Sequence, residues 1–136
     1  MNKKKILIVD DENDVLTVLE KGLTQKGYSV ITASNGKDGV NSARSNHPDI
    51  IILDIFLPDI SGNQVAEMLK EEPGTRDIPV MFVSCLFSKE FEKEKNNIAE
   101  GNIFFAKPYD AEQLSTEIEK LLSERSNADK KEAVAR

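Results

Sequence analysis

The chain has 136 residues, of which 39% are hydrophobic and 31% charged, with 18 Lys+Arg against 24 Asp+Glu and a formal net charge of −6. That length holds one ordinary domain and excludes two, and it lets a core form without disulfides or a structural metal. The single cysteine, Cys85, excludes an intramolecular disulfide, and the acidic balance speaks against nucleic acid, whose phosphates need clustered cations.

Taken in chain order, the basic stretch Met1 to Lys5 is followed by the apolar run Ile6-Leu7-Ile8-Val9, too short for a signal-peptide core but the right length for a strand. Val15, Leu16, Leu19 and Leu23 then share one helical face. Tyr28-Ser29-Val30-Ile31 predicts a second strand. A second helix is expected over about Gly36 to Ser45, stopped before Pro48 and weakened by Gly39, which costs about 1 kcal/mol against alanine inside a helix. His47, the only histidine, reads as a residue of that helix end and not as a phosphate carrier. Ile50-Ile51-Ile52-Leu53 predicts the third strand. Ser61, with Gln64 three residues on, is a capping-box signal opening a helix that carries Val65, Met68 and Leu69.

Val80-Met81-Phe82-Val83 predicts the fourth strand. The helical segment expected over 88–100 has few apolar positions (Phe91, Ile98, Ala99) and many charges, so it should be the least firmly packed. Ile103-Phe104-Phe105 predicts the fifth strand, and Asp110 with Gln113 opens a last helix carrying Leu114, Ile118, Leu121 and Leu122. Residues 123–136 are polar and read as a frayed tail or linker, which leaves 4–122 as the domain. Three of the apolar runs are continuous, as strands covered on both faces are. Five strands alternating with five helices predict an α/β fold, a doubly wound parallel sheet. No stretch approaches the roughly 18 apolar residues of a membrane span, so a soluble cytoplasmic protein is expected.

Ligands of open parallel sheets sit beyond the carboxyl ends of the strands. The first strand is followed by Asp10 and Asp11, the third by Asp54, the fourth by Ser84, and the fifth by Lys107 and Pro108. Three carboxylates on one edge repel one another, and a divalent cation removes the conflict. An oxygen-only donor set suits Mg2+, which shares its shell readily with phosphate. Lys107 supplies a point charge for the same anion and Ser84 a hydrogen bond. The collection fits a site where a carboxylate, best Asp54, attacks a phosphoryl group and becomes an acyl phosphate. Taken singly, each residue has a plainer reading as a turn residue, loop hydroxyl or solvated charge; their conjunction at the ends of different strands favours the site.

These residues also carry a family resemblance. Ile6-Leu7-Ile8-Val9-Asp10-Asp11, Asp54-Ile55-Phe56-Leu57-Pro58-Asp59-Ile60-Ser61-Gly62, Val83-Ser84 and Lys107-Pro108 occur in order, with Asp11, Asp54, Ser84 and Lys107 separated in turn by 43, 30 and 23 residues. Over about Lys4 to Leu122 the chain resembles the receiver domain of two-component response regulators, the family of the chemotaxis regulator and the sporulation phosphorelay protein. The resemblance implies the flavodoxin-like strand order 2-1-3-4-5. It implies that Asp54 accepts a phosphoryl group from a histidine kinase or phosphotransfer protein. Asp11 and Asp54 would bind one Mg2+, with Asp10 assisting and the Phe56 backbone carbonyl as a further ligand. Lys107 and Ser84 would contact the phosphoryl group, and Ser84 and Phe104 would act as the switch. The face formed by the fourth helix, last strand and last helix would then change for a downstream partner protein. Such a domain catalyses only its own phosphorylation and dephosphorylation, and neither nucleic acid nor membrane is an expected partner.

Cys85 stands where a small alanine is commoner and reads as a packing residue. Phe104 lacks the hydroxyl of the tyrosine frequent at its position. Phe56 and Leu86 would flank the path of attacking water, which predicts slow autodephosphorylation. Two rivals fit less well. An aspartate-nucleophile Mg2+-dependent phosphohydrolase wants its nucleophile on the first strand with another Asp two residues on, and Asp10-Asp11-Glu12-Asn13 lacks that spacing. A flavin module wants a Ser/Thr/Gly-rich phosphate loop where this chain has acids. Whether the chain is a stand-alone regulator or a piece of a larger regulator or hybrid kinase is left open by the residues.

Overall fold

All of Ile50–Asp54 is buried, as a continuous apolar run predicts for a strand covered on both faces. This strand, β3, lies at the centre of a parallel sheet with β1 (Lys5–Val9), β2 (Ser29–Ala33), β4 (Val80–Ser84) and β5 (Ile103–Ala106). The strand order is β2-β1-β3-β4-β5, as the sequence resemblance implied. Four helices accompany them among the described residues: α1 (Asn13–Gln25), α2 (Gly36–Asn46), α3 (Gly62–Glu71) and α4 (Ala111–Ala135). The computed structural model describes residues 3–84, 103–106 and 111–135, with side chains through Val83 and over 111–123. The helix expected over 88–100 lies outside the described residues, as do Cys85, Leu86, Lys107, Pro108 and Asp110.

Strand alternation divides the core into two layers. Leu7, Val9, Ile51, Leu53 and Phe82 pack with Val40 and Ala43 of α2 and Val65, Ala66 and Leu69 of α3. Ile6, Ile8, Ile50, Ile52, Met81 and Val83 pack with Leu16, Leu19 and Leu23 of α1 and Leu114 and Ile118 of α4. Each such fully buried aliphatic side chain contributes about 1.5–3 kcal/mol. Edge strand β2 is half-buried along most of its length, which suits its mixed, interrupted composition.

Three local expectations change. Met68 is not on the buried stripe of α3 but 37% exposed, because Val65, Ala66 and Leu69 define that stripe. Gly39 is a matter of space more than propensity: a Cβ there would come within 2.9 Å of Val9 Cγ2, so glycine lets α2 approach the sheet. The 123–136 segment, expected as a tail, continues α4 as helix to Ala135. His47 is the C-cap of α2 in the left-handed region (φ 47°), consistent with a helix-end role. Among the described residues no helix is long and apolar enough to cross a membrane.

Candidate functional site

The register of the central strands assembles the site. Val9 pairs with Leu53, so Asp10 and Asp54 follow side by side at the carboxyl edge. The ladder continues one residue past each strand: the Asp10 N–H donates to the Ala33 carbonyl and the Ile55 N–H to the Val83 carbonyl, both at 3.1 Å. By alternation, Asp10 continues the Ile6 and Ile8 series and Asp54 the Ile50 and Ile52 series, so both belong to the α1/α4 side of the sheet.

Asp10 is fully buried and Asp54 is 5% exposed. Burying a carboxylate costs several kcal/mol unless its oxygens are engaged. Both use the same local device. Asp10 Oδ1 accepts from the Glu12 N–H at 2.9 Å, and Asp54 Oδ1 accepts from the Phe56 N–H at 3.0 Å. These bonds to the backbone two residues on fix the plane of each carboxylate.

Asp10, Asp11 and Glu12 bring a ligand oxygen each within 4.8 Å of one another, Asp10 buried and the other two exposed. Glu12 was not among the ligands expected from the sequence; its only signal there is adjacency to the Asp pair. Asp54 lies outside this trio, on the neighbouring strand. The donor set is all oxygen and open to solvent on one side, which fits a hard, partly hydrated cation such as Mg2+.

The loop after β3 is held from several directions. The Gly62 N–H donates to the Ile55 carbonyl at 2.8 Å. A Cβ at Gly62 would stand 2.6 Å from the Asp54 carbonyl oxygen and 2.9 Å from Ile55 Cα, so only glycine lets α3 start against the end of the strand. The capping box forms as expected, Gln64 N–H to Ser61 Oγ at 3.2 Å and Ser61 N–H to Gln64 Oε1 at 2.9 Å. Asp59 crosses to α2, accepting from the Gly36 N–H at 2.7 Å and the Lys37 N–H at 2.9 Å. Desolvation raises its pKa and is the largest single influence, but the backbone N–H donors of Lys37, Gly36, Ile60 and Asp59 itself together outweigh it and hold the carboxyl at about 2.

Toward the other side of the sheet, Asp54 pairs with Val83 and Ser84 with Ala106. The backbone of Ser84 therefore stands one residue beyond the level of Asp54 on the next strand. Lys107, which follows Ala106 in the chain, and the side chains of Ser84 and Phe104 lie outside what is described. The structure thus brings together Asp10, Asp11 and Asp54 at one edge. His47 stands far from them, at the end of α2 beside the amino edge of the sheet.

The architecture and the acidic edge define a class, the single parallel α/β domain with an acidic cluster at its strand ends. The family model of the response regulator receiver domain matches residues 6–119. The chain is 31% identical over 119 residues to the alkaline phosphatase synthesis transcriptional regulatory protein PhoP of Bacillus subtilis, covering 88% of this chain and 48% of that protein. It is 31% identical over 125 residues to the response regulator ArlR of Staphylococcus aureus, covering 92% of this chain and 55% of that one. Among solved structures, a CheY-like response regulator receiver domain protein from Methanospirillum hungatei superposes with a TM-score of 0.79 at 27% identity, over 93% of this chain and 99% of that one. The receiver domain of sensor histidine kinase PA1611 from Pseudomonas aeruginosa, with magnesium coordinated in its active site cleft, superposes with a TM-score of 0.81 at 22% identity, over 90% and 99%.

The chain belongs to the response regulator receiver domain family. It is homologous to phosphorylatable response regulator receivers, which are signalling domains. It spans about half the length of the curated relatives it matches.

Proposed function

We propose that Asp54 is the phosphoryl acceptor of this receiver and that Asp10, Asp11, Asp54 and the Phe56 carbonyl hold one Mg2+, with Glu12 at the rim. What supports the reading is the register that sets two buried carboxylates next to each other at the carboxyl edge. Bound Mg2+ would offset the charge that gathers where phosphoryl oxygens meet carboxylates. The chain's own residues do the rest. The Phe56 N–H holds Asp54 Oδ1 and so orients the carboxylate. Oδ2 attacks phosphorus in line, the O–P bond forms as the P–N bond to the donor imidazole breaks, and that imidazole leaves with a proton from solvent. Lys107 and Ser84 then bind the new phosphoryl oxygens, with Ser84 and Phe104 as the switch.

In this proposal the receiver covers 4–122, with five helices including one over 88–100. Its phosphodonor is a histidine kinase or phosphotransfer protein, and a downstream protein reads the face formed by 88–100, β5 and α4. The setting is cytoplasmic. PhoP is by name a transcriptional regulator and about twice the matched length, so the acidic balance argues against nucleic acid only for these 136 residues.

The test is incubation with Mg2+ and acetyl phosphate, followed by intact mass. One phosphoryl group should add, be lost in base, and be absent in Asp54→Ala. Mass gain that survives in Asp54→Ala, or that maps to His47, rejects the assignment.

A further inference from the structure

The loop that carries Phe56 is fastened to a helix that contributes nothing to the acidic trio. Asp59 reaches 23 residues back along the chain, and its two oxygens separately accept the Gly36 and Lys37 N–H groups at 2.7 and 2.9 Å. These are first-turn amides of α2, which have no partner inside the helix. The helix already has its own N-cap: Asn35 Oδ1 accepts from the Asp38 N–H at 2.8 Å. Asp59 is therefore a second, non-local cap supplied by the β3–α3 loop.

A packing contact stands beside it. A Cβ on Gly36 would overlap Ile60 Cγ1 and come within 3.0 Å of Val65 Cγ2, so Ile60 rests directly on the glycine. Charge-assisted bonds and a close apolar contact thus fix the middle of the loop on α2, while the Gly62 N–H fixes its end on Ile55. Between those anchors and Asp54 lies Phe56, whose N–H orients Asp54.

We propose that Asp59 is a positioning residue: by tying the β3–α3 loop to α2 it sets where the Phe56 amide and carbonyl stand relative to Asp54. The inference rests on the proposed metal and acceptor roles for what that placement is used for. The tie itself stands on the hydrogen bonds alone. Outer-shell partners of this kind typically change metal affinity by 10–100-fold when removed. Asp59 touches no proposed ligand directly, so its removal should weaken Mg2+ binding by about tenfold.

Three variants separate the possibilities. Asp59→Ala removes the tie and a charge. Gly36→Ala disturbs the same joint through Ile60 and keeps every charge. Arg44→Ala breaks the bidentate clamp to Glu72 at the far end of α2 and serves as the matched stability control. In metal-free protein, amide exchange at Phe56 and Gly62 should quicken about tenfold in Asp59→Ala, beyond the direct effect at Gly36 and Lys37, and stay unchanged in Arg44→Ala. Mg2+ titration should show the dissociation constant raised in both Asp59→Ala and Gly36→Ala and unmoved in Arg44→Ala. If only Gly36 and Lys37 exchange faster, Asp59 serves α2 alone and the inference is wrong. If Asp59→Ala weakens Mg2+ but Gly36→Ala does not, the effect is charge and not position, and it is wrong again. A wild-type chain that binds no Mg2+ rejects the reading of the site, while the exchange data still decide the tie.

Discussion

The two edges of the sheet handle charge differently. At the carboxyl edge, carboxylates accept from backbone amides: Asp10 from Glu12, Asp54 from Phe56, and Asp59 from Gly36 and Lys37. At the amino edge one carboxylate also accepts from an amide, Asp49 Oδ2 from the Lys5 N–H at 2.8 Å, but side-chain cations enter as well. Lys5 Nζ donates to the Asn46 carbonyl at 3.1 Å, and Arg44 grips Glu72 between the ends of α2 and α3. An amide dipole orients a carboxylate without cancelling its formal charge, whereas a guanidinium or ammonium cancels it. The carboxyl edge therefore keeps negative charge to present to a cation, in fixed directions. At the amino edge Glu72 is neutralised in place, with Arg44 lowering its pKa by hydrogen bonding and charge.

That contrast can be broken at its strongest point first. Asp54→Asn keeps shape and the capacity to accept from Phe56 but removes the nucleophile. Acetyl phosphate labelling, read by intact mass, should fall at least 100-fold, and retained labelling would place the chemistry elsewhere. Asp11→Asn should raise the Mg2+ dissociation constant by about 10–100-fold, at least as much as the loss of an outer-shell partner, measured by calorimetric titration. Phe56, 38% exposed at the rim, should slow hydrolysis of the acyl phosphate. Phe56→Ala should shorten the phosphorylated lifetime several-fold, and an unchanged lifetime would count against a screening role.

A smaller effect follows from acid. The folded carboxyl of Asp59 sits at about 2 against an ordinary 3.8. Its folded pKa is depressed, so its stabilisation is complete above about pH 4 and is lost as pH falls toward 2. The melting temperature should drop across that window, and Asp59→Asn should drop less. Glu72 acts in the same direction, so some of the fall remains. The smallest expected effect belongs to the amino edge. A five-residue strand spans about 17 Å, roughly two Debye lengths at physiological salt. Lys4→Gln should change the Mg2+ dissociation constant by less than about twofold there. In 10 mM salt, where screening reaches about 30 Å, loss of this cation should measurably tighten Mg2+ binding; a large effect at high salt would erase the distinction between the edges.

The central strands were legible because burial on both faces leaves no room for alternation: Ile50-Ile51-Ile52-Leu53 says so in residue type alone. Asp10, Asp11 and Asp54 were legible because strand ends in a parallel sheet share an edge. What the sequence hid is what depends on space or on distant partners. Gly39 reads as a weak helix residue until Val9 is seen against it. Gly62 stands in the sequence only as the last residue of the motif after Asp54, until the Asp54 carbonyl is seen beneath it. Asp59 likewise stands there only as a member of that motif, since no local pattern shows that its partners lie on α2. The helical continuation past Leu122 was hidden for another reason: 123–136 carries no apolar stripe, and the sequence signal for a helix is that stripe.

That continuation makes α4 a 25-residue rod, about 37 Å long at 1.5 Å per residue. Each residue along it turns the azimuth by about 100°. Whatever is fused after residue 135, a tag or a second folded unit, inherits its angular setting from the count of residues back to Ile118, the last fully buried side chain among the described residues of the helix. Deleting one residue between 123 and 135 would swing such a cargo by more than a quarter revolution.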